Sequence, residues 1–281
     1  MTSIREQAIQ LYDRYTHEHL DRRRLLREMT ALAGSVAAAE GLILAIGASP
    51  AAAQIVSADD KRLVAERRAG AYVVRPRTRR PRRATVLVIH ENRGLNAHIE
   101  DVARQVALAG FEAIAPDFLA TQGGTPADPD RAREMVSRLD YDQAIAHAQG
   151  LLASAKTSSG VRTGMVGFCW GGAFVNRAAV AVGPMLDAGV SYYGPAPAPL
   201  EAAKVRAAMM IHLAGNDQRV NATALPWVEA LKAAGKRVEA FTYPGVEHAF
   251  NNDTSAERYD KAAADLAWQR TVAFLRRELD A

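Results

Sequence analysis

Cysteine is almost absent: Cys169 is the only one in 281 residues. An internal disulfide is therefore excluded, and so is a zinc site built on several thiolates. No segment recurs at a 20–50-residue period, which excludes solenoids and propellers. Glycine and proline, at 20 and 12 residues, are in ordinary proportion, so neither a fibrous repeat nor wholesale disorder fits. A charge-free apolar run of membrane-spanning length is lacking too. The nearest approach, residues 29–53, is rich in alanine and glycine and is broken by Glu40. What is present, 49% apolar and 23% charged residues, suffices for one α/β domain with a large core and an appendage.

The formal net charge is only +4, but basic residues are crowded. Between positions 61 and 83, Glu66 is the sole acid among eleven charged residues. Nucleic-acid binding is not expected there, because the densest part, residues 75–83, has no interleaved aromatics to stack on bases. A solvated connector between two early strands is expected instead, with Pro76 and Pro81 interrupting regular structure.

The first 55 residues read as an N-terminal extension and residues 56–281 as a catalytic domain. Asp21-Arg22-Arg23-Arg24-Leu25-Leu26-Arg27, followed by the small apolar stretch and by Ala51-Ala52-Ala53, resembles a twin-arginine export signal cleaved before Gln54. Export to the periplasm is the expectation drawn from it. The alternative is a cytoplasmic protein with a retained helical arm, for Ile9, Leu11, Tyr12, Tyr15 and Leu20 form an amphipathic pattern ahead of the arginines. Such an arm packs on the domain or supports a homodimer.

From residue 70 onward, apolar strands alternate with helices. Strands are expected at 85–90, 111–115, 163–166, 188–193, 208–213 and 238–243. Helices are expected at 99–109, 130–137, 140–154, after 172, at 221–234 and at 255–279. Continuous apolar runs such as Thr85-Val86-Leu87-Val88-Ile89-His90 mark strands buried on both faces. The alternation implies a mostly parallel sheet flanked by helices, with ligands bound beyond the carboxyl ends of the strands.

The lone cysteine lies in Val166-Gly167-Phe168-Cys169-Trp170-Gly171-Gly172. Gly-x-Cys-x-Gly has the spacing of a nucleophile elbow, a strained strand-to-helix turn that lifts its central side chain above the sheet. At a helix start the sulfur meets free N–H groups and the positive dipole end, which favour a thiolate. Asp217 and His248 each follow a predicted strand. The chain order of nucleophile, acid and histidine is that of α/β-hydrolases. His248 is expected as base and then acid, and Asp217 as the group that fixes its tautomer. Asp253 is a weaker rival for the acid. The loop His90-Glu91-Asn92-Arg93-Gly94 follows the first buried strand, so the N–H of Asn92 is expected to form an oxyanion hole with that of Trp170. His90 and His212 read as structural histidines, and neither a metal nor a cofactor is expected.

Gly167-Phe168-Cys169-Trp170-Gly171-Gly172, Asp217, Glu91 and the loop Tyr243-Pro244-Gly245-Val246-Glu247-His248-Ala249-Phe250 together resemble the dienelactone hydrolase (carboxymethylenebutenolidase) family over about residues 70–279. The nearest likeness is to a longer bacterial subgroup with an Arg-Arg leader. The resemblance implies an α/β-hydrolase fold, no cofactor, and hydrolysis of lactones or activated esters through a thioester on Cys169. It also implies that Glu91 hydrogen-bonds the resting thiol until substrate displaces it. Founding members place an arginine soon after the histidine to hold a substrate carboxylate, where this chain has Asn251-Asn252. Arg93, Arg138 and Arg219 are candidate replacements. Trp170, Phe118, Tyr192, Tyr193 and Phe250 are candidates to line an apolar pocket.

Other readings fit less well. A general carboxylesterase or thioesterase for small acyl groups is the nearest alternative. A glutamine amidotransferase of similar elbow has glutamate two residues after its histidine, where this chain has Phe250. A redox-sensing thiol lacks a second cysteine to resolve a sulfenic acid. A non-catalytic binder on the same fold is expected to have lost members of the triad, and none is missing.

Overall fold

The computed structural model describes residues 3–18, 20–47, 55–78 and 84–280. The proposed cleavage site at Ala51-Ala52-Ala53 and residues 79–83, the second half of the densest basic run (75–83), lie outside them. Three N-terminal helices come first: α1 (Ile4–His17), α2 (Arg22–Ala33) and α3 (Val36–Ile46). Each starts on a capping side chain, Ser3, Asp21 and Ser35 respectively, that accepts an N–H of the first turn. They enclose a small core of their own, formed by Ile9, Leu11, Tyr12, Tyr15, Leu25, Met29 and Ile46. Among the described residues no single helix is long and apolar enough to cross a membrane. The pair α2 and α3 has the length and composition, but it is bent by 110° at Gly34-Ser35.

The rest of the chain runs β1 (Leu63–Arg68), β2 (Ala71–Pro76), β3 (Ala84–Ile89), α4 (Ala97–Leu108), β4 (Glu112–Pro116), α5 (Pro129–Ser137), α6 (Tyr141–Ser159), β5 (Arg162–Phe168), α7 (Trp170–Ala181), β6 (Ala188–Tyr192), β7 (Ala208–Ala214), α8 (Gln218–Ala233), β8 (Val238–Tyr243) and α9 (Lys261–Leu279). The strands form one eight-stranded sheet in the order β1-β2-β4-β3-β5-β6-β7-β8. Pairing is antiparallel for β1·β2 and β2·β4 and parallel from β4 to β8. This is the expected α/β-hydrolase architecture. One apolar layer packs under α4 and α9, with Val86, Val88, Phe111, Val190 and Phe274 at its centre. The other packs under α6, α7 and α8, with Leu87, Ile89, Met165, Phe174 and Trp227.

Two expectations are corrected. Much of the basic stretch is a hairpin rather than a connector. Ala69 and Gly70 both take positive φ (50° and 72°), the geometry of a two-residue hairpin turn, and the arginines lie along its exposed edge. The final helix starts at Lys261, not at residue 255, because Asp260 caps it by accepting the Ala263 N–H. The residues before the cap turn away to meet the N-terminal arm. Ser255 Oγ donates to the Ile46 carbonyl at 2.7 Å, and Arg258 pairs with Asp13 at 3.2 Å.

Candidate active site

β5 ends at Phe168 and α7 begins at Trp170, which leaves Cys169 alone in the bend at φ 55°, ψ −111°. That backbone region is strained for any residue with a Cβ, at a cost of about 1–3 kcal/mol. The surrounding contacts hold it. A Cβ on Gly167 would lie 2.1 Å from the Gly171 carbonyl oxygen, and one on Gly171 would lie 2.4 Å from that of Ile89. Only glycine permits so close a pass of helix over strand. The Cys169 N–H donates to Tyr192 O at 3.0 Å and ties the bend to β6. Among the described residues four others than glycine have positive φ. Three of them, Cys169, Tyr193 and Ala249, surround the same spot.

β7 and β8 deliver the partners. Asp217 is the N-cap of α8: one carboxylate oxygen accepts the Val220 N–H at 3.1 Å. The other accepts His248 Nδ1–H at 2.5 Å. The tautomer of His248 is thereby set, with Nε2 turned to the remaining space. Nε2 is buried and has no hydrogen-bond partner, and a ring nitrogen of His248 lies within 4.8 Å of the Cys169 sulfur. Burial alone would lower the pKa of His248, but the Asp217 carboxylate and the Cys169 sulfur outweigh it and push it up to about 10. Burial opposes the ionised form of Asp217 in the same way, yet the charge and hydrogen bond of His248 hold that carboxyl below its ordinary range. Asp253 is not the acid: it accepts from His98 at 2.9 Å, on the far side of the loop.

Glu91 lines a small cavity with Cys169 and His248, of about 20 Å³. Its two oxygens accept from Tyr193 Oη at 3.4 Å and from Asn252 Nδ2 at 2.5 Å, and not from the Cys169 thiol as the resemblance implies, because these two donors already hold the carboxylate. Asn252, in the stretch where founding family members have arginine, thus positions the glutamate. A larger cavity of about 370 Å³ opens on the other side of the sulfur, lined in part by Asn92, Arg133, Tyr141, Trp170 and Arg219. Trp170 is the first residue of α7, so its N–H has no acceptor within the helix. Its ring is stacked between His90 and Tyr141, with centroids 5.2 Å from each.

The remaining sequence candidates divide. Arg93 lines the small cavity and donates to Tyr12 Oη. Arg219 lines the large one. Arg138 sits at the outer end of α5, 74% exposed and paired with Glu134, and lines neither. Phe118 packs beneath Trp170 and against Phe174. Tyr192 is fully buried, with its hydroxyl on Thr271. Phe250 is wedged between Tyr193 and Tyr243. These three support the floor of the site and do not line either cavity. His212 is structural, bonded through its two ring nitrogens to Tyr243 and Thr271.

Sequence reasoning missed the contribution of the N-terminal arm. The last turn of α1 places Thr16 and His17 over the nucleophile elbow, and both residues line both cavities. His17 Nε2 stands 3.9 Å from Cys169 Sγ. Its ring meets that of His248 edge-on at 4.7 Å between centroids. Burial, together with the nearby charges of His248, Arg219, Arg258 and Arg133, keeps its pKa well below the ordinary value, so the ring is neutral. The arm is held by Arg5 with Glu257, Asp13 with Arg258, Arg22 with Asp130, and Arg133, which stacks on Tyr15 at 4.2 Å and donates to its carbonyl. Nothing in the run Tyr15-Thr16-His17-Glu18 signals this role, because an arm's docking partners are dispersed through the chain.

Comparison with known proteins agrees with this geometry. The sequence profile of the Dienelactone hydrolase family matches residues 69–279. A protein of Escherichia coli (strain K12), provisionally named carboxymethylenebutenolidase, is 30% identical over 254 residues, covering 82% of this chain and 93% of that protein. One of the same provisional name from Methylorubrum extorquens is 32% identical over 213 residues, covering 68% and 71%. The crystal structure of a Klebsiella pneumoniae protein, provisionally described as a dienelactone hydrolase, superimposes with a TM-score of 0.66 at 29% identity, over 74% of this chain and 92% of that one.

Proposed function

This chain belongs to the dienelactone hydrolase family, and from that membership we propose that it hydrolyses lactones or activated esters of small acids through a thioester on Cys169. The observation that carries the proposal is the join of His248 to Asp217 at 2.5 Å, with its other nitrogen facing the sulfur of a strained elbow. In this reading Glu91, displaced from Asn252 by substrate, accepts the thiol proton, and the Cys169 sulfur, left as a thiolate beside the protonated His248, attacks the acyl carbon. The carbonyl oxygen, now negative, is received by the N–H groups of Asn92 and Trp170. One such donor is commonly worth about 3–4 kcal/mol to the transition state. His248 Nε2–H then protonates the departing enol or alcohol. Water, deprotonated by the same imidazole, hydrolyses the thioester.

The larger cavity, about 370 Å³, is at the small end of the range for ligand pockets. It favours compact substrates, and Arg133 and Arg219 on its wall favour acids that carry a negative charge. Export by the twin-arginine-like leader is proposed alongside this. Cleavage before Gln54 would remove Thr16 and His17 from the site, whereas a retained arm keeps them there.

The test is hydrolysis of p-nitrophenyl acetate and of a panel of lactones, aryl esters and thioesters, with mass detection of an acyl adduct. The proposal requires that Cys169→Ala and His248→Ala each abolish turnover and that the adduct map to Cys169. Turnover undiminished in Cys169→Ala refutes it.

A further inference from the structure

The N-terminal arm completes a donor set that the catalytic domain alone does not have. One ring nitrogen of His17, the sulfur of Cys169 and one ring nitrogen of His248 all lie within 4.8 Å of one another. Among the described residues no other group of three metal-ligating side chains is so assembled. Thiolate and imidazole together are the donors that a borderline divalent cation, zinc above all, prefers. Around a tetrahedral zinc, with bonds of about 2.3 Å to sulfur and about 2.0–2.1 Å to nitrogen, neighbouring donors stand roughly 3.3–3.6 Å apart. The His17–Cys169 separation of 3.9 Å is within a few tenths of an ångström of that, and rotation about side-chain bonds closes the rest.

Two further features suit a metal. His248 Nε2 is buried without a hydrogen-bond partner, while Nδ1–H donates to Asp217. A carboxylate behind a ligating histidine is the arrangement that orients imidazoles on zinc and strengthens them as donors. The larger cavity reaches His17 and Cys169, and so offers both an entry path and room for a fourth ligand such as water.

We propose that the full chain binds one zinc ion through His17, Cys169 and His248, with Asp217 as the outer partner of His248, and that α1 is what makes the site three-coordinate. Binding releases the protons held by the Cys169 sulfur and by His248 Nε2 to solvent, with no change of oxidation state. The occupied site has no free sulfur. Metal-dependent silencing of hydrolysis therefore follows on the reading that Cys169 is the nucleophile, whereas metal binding itself does not depend on that reading.

The experiment is titration of the reduced full chain with Co²⁺ and, by competition with a chromophoric chelator, with Zn²⁺. Expected are one metal per chain, a near-ultraviolet sulfur-to-cobalt charge-transfer band and the visible bands of four-coordinate cobalt. The charge-transfer band disappears in Cys169→Ser. Zinc affinity falls at least about 100-fold in His17→Ala and in His17→Asn. Loss of the outer partner in Asp217→Asn costs about 10–100-fold. His147→Ala, on the exposed face of α6, leaves affinity unchanged. Circular dichroism confirms that each variant is folded. Absence of zinc binding up to about 1 mM overturns the proposal. So does cobalt binding without the charge-transfer band, or equal affinity in the wild type and both His17 variants. Esterase assays with zinc and then EDTA are scored separately, so failure of the catalytic reading leaves the spectroscopic result interpretable.

Discussion

His17 Nε2 lies 3.9 Å from Cys169 Sγ across a sequence separation of 152 residues. The contact covers the nucleophile from the solvent side and leaves Cys169 only 5% exposed. Removing it should speed alkylation of the thiol. In His17→Ala, and in a chain beginning at Gln54, iodoacetamide is expected to modify Cys169 several-fold faster than in the full chain. Asp13→Asn, which breaks the arm's pair with Arg258, should give an intermediate rate. Mass-resolved labelling at fixed pH reads all four proteins, and equal rates would mean that the arm does not shield the sulfur.

Asp217 holds one tautomer of His248. In Asp217→Asn the amide can present its N–H₂ to Nδ1, which favours the tautomer with the proton on Nε2 and leaves no base facing the sulfur. Turnover should drop roughly 10³–10⁴-fold, with KM nearly unchanged, as expected of a group that acts through another. Steady-state kinetics on an aryl ester decide this. A loss confined to KM would instead assign Asp217 to substrate binding.

Gly171 has no room for a methyl group, since a Cβ there meets the carbonyl oxygens of Ile89 at 2.4 Å and His90 at 2.6 Å. These are backbone atoms of a central strand and its exit, and they cannot rotate aside. Gly171→Ala should therefore cost more than about 3 kcal/mol, beyond the usual range for a single substitution. By contrast Cys169→Ala should fold normally. Urea denaturation of the two variants side by side provides the comparison.

His212 predicts a pH dependence of stability. Burial, with the Arg270 charge as a lesser cause, pushes its pKa down to about 3. The folded value lies below the ordinary 6.5, so between those values the unfolded chain binds the extra proton. Stability from this residue is whole above about pH 6.5 and declines as the pH falls toward 3. At about 1.4 kcal/mol per pH unit, His212→Gln should lose less on going from pH 7 to pH 4 than the wild type, by about 2–3 kcal/mol. The same loss in both proteins would assign the acid sensitivity elsewhere.

The sequence by itself determined the local features. Two glycines flanking Cys169 at i−2 and i+2 left one way for strand and helix to pass, and that forced the elbow. Apolar runs too continuous for a half-exposed strand dictated a parallel sheet covered on both faces, and strand ends located Asp217 and His248. Each of these is set by neighbours along the chain. Tertiary structure alone decided which groups meet across it. Asp253 is a weaker rival to Asp217 in one dimension, and only the path of the loop after β8, which sends it to His98, removes it as the acid. Asn252 gave no sign of binding Glu91, nor Arg258 of anchoring Asp13. His17 ends an amphipathic helix whose pattern specifies an apolar face but not the surface that receives it. That surface is assembled from the loop after β3, α5, the elbow between β5 and α7, and the segment between β8 and α9, so its identity is a property of packing and not of any one segment.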